Sequence, residues 1–234
     1  NYLHDINISI IIMEYNQYKV INSMQQARLS STDFNWTTGY GYGDVGRDKV
    51  EEIYSTVFNV EDALVRPTIV SGTHAITLTL SGLLRPGDEF ISITDSPYDT
   101  LQKVIGTKGS QEGTLLEYGI KYKEIPLSHG KIHTDRVINS LSKDTKLILI
   151  QRSTGYSNRK AITIGEMEDV IKKIKEVNED IIIMVDNCYG EFLENREPTE
   201  VGADIMAGSL LKNPGGGLAL AGGYIVGKRK LVEK

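Results

Sequence analysis

The residues best placed to do chemistry are Ser209 and Lys212, in the segment Asp204-Ile205-Met206-Ala207-Gly208-Ser209-Leu210-Leu211-Lys212-Asn213-Pro214-Gly215-Gly216-Gly217. An apolar run delivers one lysine, and a glycine cluster follows at once. Desolvation disfavours an ammonium, so a lysine held this way is expected to have a lowered pKa, and its free amine can condense with an aldehyde. Glycines let another group approach the backbone closely. The plainer use of such a lysine lays its stem on apolar surface and keeps its amine in water.

Four other stretches carry functional groups. Ser71-Gly72-Thr73-His74-Ala75 stands between extended residues 68–70 and the apolar segment 75–84. A glycine and hydroxyls at a helix start either cap the helix or bind an anion there. His74 serves equally as a packing residue or as a ring stacked on a ligand. Tyr98 lies in the loop Asp95-Ser96-Pro97-Tyr98-Asp99-Thr100, after a predicted strand over 89–93. Ligands of open α/β sheets collect at the carboxyl ends of strands, so Tyr98 is a candidate to stack on a flat cofactor. Asp186 ends the apolar run 181–185. A carboxylate there is costly without a cationic partner, unless it caps a helix. The loop Thr37-Thr38-Gly39-Tyr40-Gly41-Tyr42-Gly43-Asp44-Val45-Gly46-Arg47 displays rings, a carboxylate and a guanidinium. The planar fork of Arg47 matches phosphate oxygens. An amine, a buried carboxylate, an anion cradle and a stacking ring together lead us to expect pyridoxal phosphate, carried on Lys212 as a Schiff base.

The elements that must position these groups alternate. Residues 8–13 read as a strand or the start of a helix, and 17–29 as a helix. Val50, Ile53, Tyr54, Val57 and Phe58 have helical spacing. Strands are predicted over 63–66, 89–93, 120–125, 146–150, 181–185, 204–207 and 218–226, with Lys212 in the loop between the last two. Helices are predicted over 75–84, 134–141 and 164–177 and from the Tyr98 loop to Ile105. On the helix over 164–177, Glu168 and Lys172 are spaced to pair. Residues 151–160 form a polar loop. This order predicts an α/β fold of three layers: a mostly parallel sheet of about seven strands with helices on both faces.

Bulk properties bound the rest. The 234 residues and net charge of −5 suit one soluble domain, or one large domain plus an arm, and argue against nucleic acid as the main partner. No apolar run approaches the roughly 20 residues of a membrane span. No signal-peptide pattern is seen. The single cysteine, Cys188, excludes an internal disulfide and suits the cytoplasm. A metal site is not expected. No Gly-x-x-x-x-Gly-Lys-Ser/Thr pattern supports a nucleotide module. The chain begins at Asn1 and stops at Lys234, and is expected to be part of something longer.

Five motifs in order resemble one family. They are Gly39-Tyr40-Gly41-Tyr42-Gly43-Asp44-Val45-Gly46-Arg47, Val70-Ser71-Gly72-Thr73-His74-Ala75, Leu84-Arg85-Pro86-Gly87-Asp88, Val185-Asp186-Asn187 and Gly208-Ser209-Leu210-Leu211-Lys212-Asn213-Pro214-Gly215-Gly216-Gly217. They span nearly the whole chain and resemble fold-type I pyridoxal-phosphate enzymes of the cystathionine and methionine lyase group. The branch they look most like is the aluminium-resistance or methionine γ-lyase-like one. The resemblance implies that Lys212 forms the Schiff base and is the general base, and that Asp186 pairs with the pyridine nitrogen. It implies that Gly72 and Thr73, in the segment opened by Ser71, together with Ser209, hold the phosphate, and that Tyr98 stacks on the ring. Asn158 would contact the ring hydroxyl. It sits in a loop, Gln151-Arg152-Ser153-Thr154-Gly155-Tyr156-Ser157-Asn158-Arg159, that replaces an Asn-Pro loop of better-known lyases; Arg152 and Arg159 are candidates for a substrate carboxylate. Tyr40, Tyr42 and Arg47 would reach a neighbouring subunit, implying a homodimer or homotetramer. Residues 1–48 then read as a helix and glycine/tyrosine arm, and 49–234 as the cofactor domain, with the family's smaller C-terminal domain lying beyond this chain. The implied activity is carbon–sulfur lysis of a sulfur-containing amino acid by β- or γ-elimination. Transamination, racemisation and a non-catalytic stress role are the alternatives.

Overall fold

The computed structural model describes residues 2–37, 40 and 42–234. Within the motifs above, Thr38, Gly39 and Gly41 lie outside the described residues.

Seven strands form one sheet: β1 (Asp62–Arg66), β2 (Glu89–Ser92), β3 (Lys121–Glu124), β4 (Thr145–Gln151), β5 (Ile182–Asp186), β6 (Ile205–Ser209) and β7 (Gly223–Gly227). Their spatial order is β1-β7-β6-β5-β4-β2-β3. β3, β2, β4, β5 and β6 run parallel, while β7 runs against both of its neighbours. The central strands β5 and β6 are buried along their whole length. This is why they read as continuous apolar runs and not as alternating ones: helices cover both faces. α2 (Val45–Val57), α5 (Thr134–Ser140) and α6 (Ile164–Val177) pack on one face, around Ile53, Val137, Met167, Ile171, Val185 and Tyr224. α3 (Gly72–Leu83), α4 (Asp99–Ile105) and α7 (Arg229–Val232) pack on the other, around Ile76, Leu80, Leu101, Met184, Ala207 and Leu231. The three-layer, mostly parallel α/β architecture is the one the alternation predicts.

Several boundaries differ from expectation, each for a local reason. Residues 8–13 are helical, within α1 (Tyr2–Gln26), so a single long helix replaces a strand-or-helix choice. α2 starts at Val45, and Asp44 caps it by accepting from Arg47 N at 3.2 Å. Arg47 is therefore in the first turn of a helix, not in a loop. Glu168 does not pair with Lys172: the guanidinium of Arg196 takes both of its carboxylate oxygens, at 2.7 and 3.0 Å. A planar fork matches a carboxylate better than a point charge does. The last strand starts at Gly223, not at residue 218; Leu218 and Leu220 precede it as exposed turn residues. β6 extends to Ser209, leaving Asp204 just outside, where it accepts from Ile183 N at 2.8 Å and meets Lys175 at 2.7 Å and Lys228 at 2.5 Å.

Candidate active site

The alternation of strand side chains puts three expected and unexpected residues on one face. Leu147 and Leu149, Met184, and Ile205 and Ala207 all belong to the core beneath α3. With a period of two, Gln151, Asp186 and Ser209 end their strands on that same face. All three are almost wholly buried.

The first turn of α3 closes on them. Ser71 caps it, its Oγ accepting from His74 N at 3.2 Å. The N–H groups of Gly72 and Thr73 come ahead of the first intrahelical bond and stand at the positive end of the helix. Gly72 has no room for a side chain: a Cβ there would lie 2.6 Å from Cys188 Sγ and 3.3 Å from Ser209 Cβ. The helix start thus presses directly onto the ends of β5 and β6. The His74 alternatives narrow to a local structural role, with Nδ1 accepting from Val70 N at 3.3 Å.

Asp186 Oδ1 accepts from Cys188 N at 3.1 Å, an Asx-turn. Burial raises its carboxyl above the ordinary range, while the Cys188 bonds and the charge of Lys212 pull back against that rise. Lys212 is half-buried, and its Nζ lies 4.1 Å from the centre of the Tyr189 ring. The expected lowering of the Lys212 pKa is corrected. Burial does push it down, but attraction to Cys188, Asp186 and Tyr189 outweighs burial, and the ammonium is held above its usual value. Burial likewise raises the pKa of the Cys188 thiol. Tyr189, whose ring lies beneath the amine, has φ of 66°, a left-handed backbone that is strained for a bulky residue.

Tyr98 reaches the same place from the end of β2. Its hydroxyl donates to Thr73 Oγ1 at 3.0 Å and its N–H donates to Gln151 Oε1 at 3.1 Å. Burial first, then the charge of Asp186, raises its hydroxyl pKa. A polar cavity of about 220 Å³ opens between Tyr98, Gln151, Gly155 and Arg159.

The structure therefore brings Gly72, Thr73, Tyr98, Asp186, Ser209 and Lys212 together. Asn158 is exposed and does not line the cavity beside Tyr98. Arg152 is buried and committed to the loop after β5, donating to Asn187 Oδ1 at 3.0 Å, Gly190 O at 2.6 Å and Glu194 Oε1 at 2.6 Å. Arg159 donates to the carbonyls of Gln151, Ser153 and Lys160. Tyr40 and Tyr42 are exposed with ring centres 6.0 Å apart, and Arg47 pairs with Asp44 at 3.2 Å. Sequence reasoning missed Cys188, Tyr189 and the Gln151 side chain. The spacing Asp186-Asn187-Cys188 could have signalled the turn, since aspartate commonly bonds the N–H two residues on. Nothing in the sequence signalled a left-handed Tyr189.

This fold is shared with a pyridoxal-5'-phosphate dependent protein, YhfS from Escherichia coli, at a TM-score of 0.66 and 19% identity over 95% of this chain and 56% of that one. The chain belongs to the methionine gamma-lyase family, whose model matches residues 4–234. It is 44% identical, with a TM-score of 0.94, to the crystal structure of a carbon-sulfur lyase involved in aluminium resistance from Clostridium novyi NT, covering 98% of this chain and 55% of that one. It is 52% identical over 224 residues to the uncharacterised protein YnbB of Bacillus subtilis, covering 95% of this chain and 53% of that protein. An L-methionine gamma-lyase of Pseudomonas deceptionensis is 24% identical over 213 residues, covering 85% of this chain and 48% of that enzyme. The chain spans about half the length of these relatives. Among the described residues, no helix is long and apolar enough to cross a membrane.

Proposed function

We propose that the full-length protein is a pyridoxal-phosphate-dependent carbon–sulfur lyase acting on a sulfur-containing amino acid of the cystathionine or methionine type. The observation that carries the reading is the convergence of a primary amine, a fully buried carboxylate and a glycine-started helix terminus on one side of the sheet. The fit is specific. The helix start is stripped of any Cβ where Cys188 and Ser209 meet it, which suits close approach by a phosphate. Asp186, buried and facing Lys212, suits a protonated ring nitrogen.

In this reading Lys212 Nζ would hold the cofactor through its aldehyde. The N–H groups of Gly72 and Thr73 and the hydroxyl of Ser209 hold its phosphate. Tyr98, fixed in orientation by Thr73 and Gln151, would stack on its ring. Asp186 would hold a proton at the ring nitrogen. Bound there, the cofactor supplies a sink for the electron pair left when the substrate's Cα–H bond breaks. The Lys212 amine, at the centre of the site, would accept that proton at Nζ. Substrate and water become a thiol, ammonia and a keto acid. Tyr40, Tyr42 and Arg47 act at a neighbouring subunit's phosphate, in a homodimer or homotetramer.

The test is the absorbance spectrum of purified full-length protein, followed by borohydride reduction and peptide mapping. A bound chromophore fixed to Lys212, with thiol and keto acid released from cystathionine or methionine, supports the proposal. Keto acid without thiol redirects it to transamination, and failure to take up the cofactor removes it.

A further inference from the structure

The face of the sheet opposite Asp186 holds a second buried carboxyl, and it is wired to the turn that carries Lys212. Glu191 is fully buried. Its Oε1 accepts from Tyr224 Oη at 2.7 Å, and its backbone carbonyl accepts from Asn213 Nδ2 at 2.9 Å. Tyr224 stands opposite Gly208 in the β6–β7 pairing. A Cβ on Gly208 would collide with the Tyr224 hydroxyl and ring, so Gly208 is what lets this ring cross β6 to reach Glu191. The other end of the turn is set separately, by Leu211 N donating to Ser209 Oγ at 3.2 Å and Leu210 N to Gly222 O at 3.0 Å. Lys212 lies between these two attachments. Tyr189, under its amine, is two residues from Glu191 on the same loop.

We propose that Glu191 is a positioning residue for Lys212: with Tyr224 and Asn213 it forms a clamp behind the sheet that fixes the Lys212 turn and the Tyr189 ring against each other. The inference concerns the site of the proposed lyase and rests on that reading for its catalytic meaning. Glu191 Oε2 is buried without a hydrogen-bond partner among the described residues. The titratable groups facing it are Tyr224 from β7, Tyr54 from α2, and Asp186, Cys188 and Glu197 from β5 and its loop. Farther out, Arg152 lies 3.8 Å from Glu197, and Lys19 of α1 lies 5.9 Å from the Phe192 ring. Burial lifts the Glu191 carboxyl to about 7, so it ionises near neutral pH. Once ionised, Glu191 is a stronger acceptor for the Tyr224 hydroxyl, which tightens the clamp.

The experiment uses full-length protein, wild type and the variants Tyr224→Phe, Asn213→Ala and Glu191→Gln, each checked for folding by circular dichroism. In cofactor-free protein, the acetylation rate of the Lys212 amine is measured by mass spectrometry against exposed Lys172 as internal reference, across neutral pH. In parallel, pyridoxal phosphate retention is followed by absorbance. The expected result is that Asn213→Ala and Tyr224→Phe raise relative Lys212 acetylation roughly twofold or more and speed cofactor loss. Glu191→Gln, which still accepts from Tyr224, is expected to keep cofactor retention but lose the wild-type lag of Lys212 reactivity above pH 7. Folded Tyr224→Phe and Asn213→Ala proteins whose Lys212 profiles superimpose on the wild type would overturn the clamp. If wild-type protein takes up no cofactor, the lyase reading falls, and the acetylation arm still decides whether Glu191 positions Lys212.

Discussion

The hydroxyl of Tyr98 donates to Thr73 Oγ1 at 3.0 Å, so the residue that opens α4 is tied to the first turn of α3. The ring expected over the cofactor and the helix end expected at its phosphate are thereby a single unit. Removing only that bond tests the unit. Tyr98→Phe keeps the ring and is expected to weaken cofactor retention by about 0.5–1.5 kcal/mol, the usual net worth of such a bond. Equilibrium dialysis of pyridoxal phosphate against wild type and variant reads the change, and equal affinities would show that the two parts bind independently.

Asp186 is the carboxylate that the reading places at the ring nitrogen. Asp186→Asn preserves its shape and its bond from Cys188 N but cannot carry the negative charge. Cofactor uptake is expected to persist while thiol release from the substrate falls by about a hundredfold or more, the scale of losing one preorganised electrostatic contact. Stopped assays of thiol production at saturating cofactor give the number. Near-wild-type turnover would remove Asp186 from the mechanism.

Gly72 is a packing requirement at the start of α3. Gly72→Ala puts a Cβ 2.6 Å from Cys188 Sγ and is expected to cost about 1–3 kcal/mol of stability. Cys188→Ala should relieve much of that cost, because the two sites share one clash and their effects should not add. Urea midpoints of the two single variants and the double variant close the cycle. Simple additivity would place the strain elsewhere.

The pH dependence of stability has a predicted slope from Glu191. Burial first, reinforced by Glu197 and Asp186, raises this carboxyl from 4.5 to about 7 against the opposing bond from Tyr224. A folded value above the unfolded one means that folding binds a proton. The contribution is therefore complete below about 4.5 and is lost as pH rises through about 7. At about 1.4 kcal/mol per unit the loss is on the order of 3 kcal/mol, and Glu191→Gln should abolish it. Urea denaturation on both sides of that window makes the comparison. A slope that survives in the variant belongs to another group.

Much of this architecture was legible in advance, and particular residues show why. The runs 181–185 and 147–150 are apolar because strands covered on both sides cannot alternate, and that pattern survives in any single sequence. Asp186 and Lys212 were visible for the converse reason: a charge at the end of such a run needs an explanation. What could not be read depends on partners distant along the chain. Arg196 displaces Lys172 as the partner of Glu168 from across a loop, and Arg152 is consumed by Gly190 and Glu194. The raised pKa of Lys212 follows from Asp186 and Cys188 facing it, while composition alone reports only its apolar neighbours. Glu191 offered no signal, since a glutamate in a polar loop is ordinarily solvated.

The reversed direction of β7 places the last strand between β1 and β6, so Asp62 finds its partner in Gly227. Nearly the whole of this sequence must leave the ribosome before β1 can pair at all. A nascent chain halted ahead of Gly223 would hold β1 as a lone ribbon and β6 as a raw border inviting other strands, and such chains should aggregate or recruit chaperones until the final strand arrives.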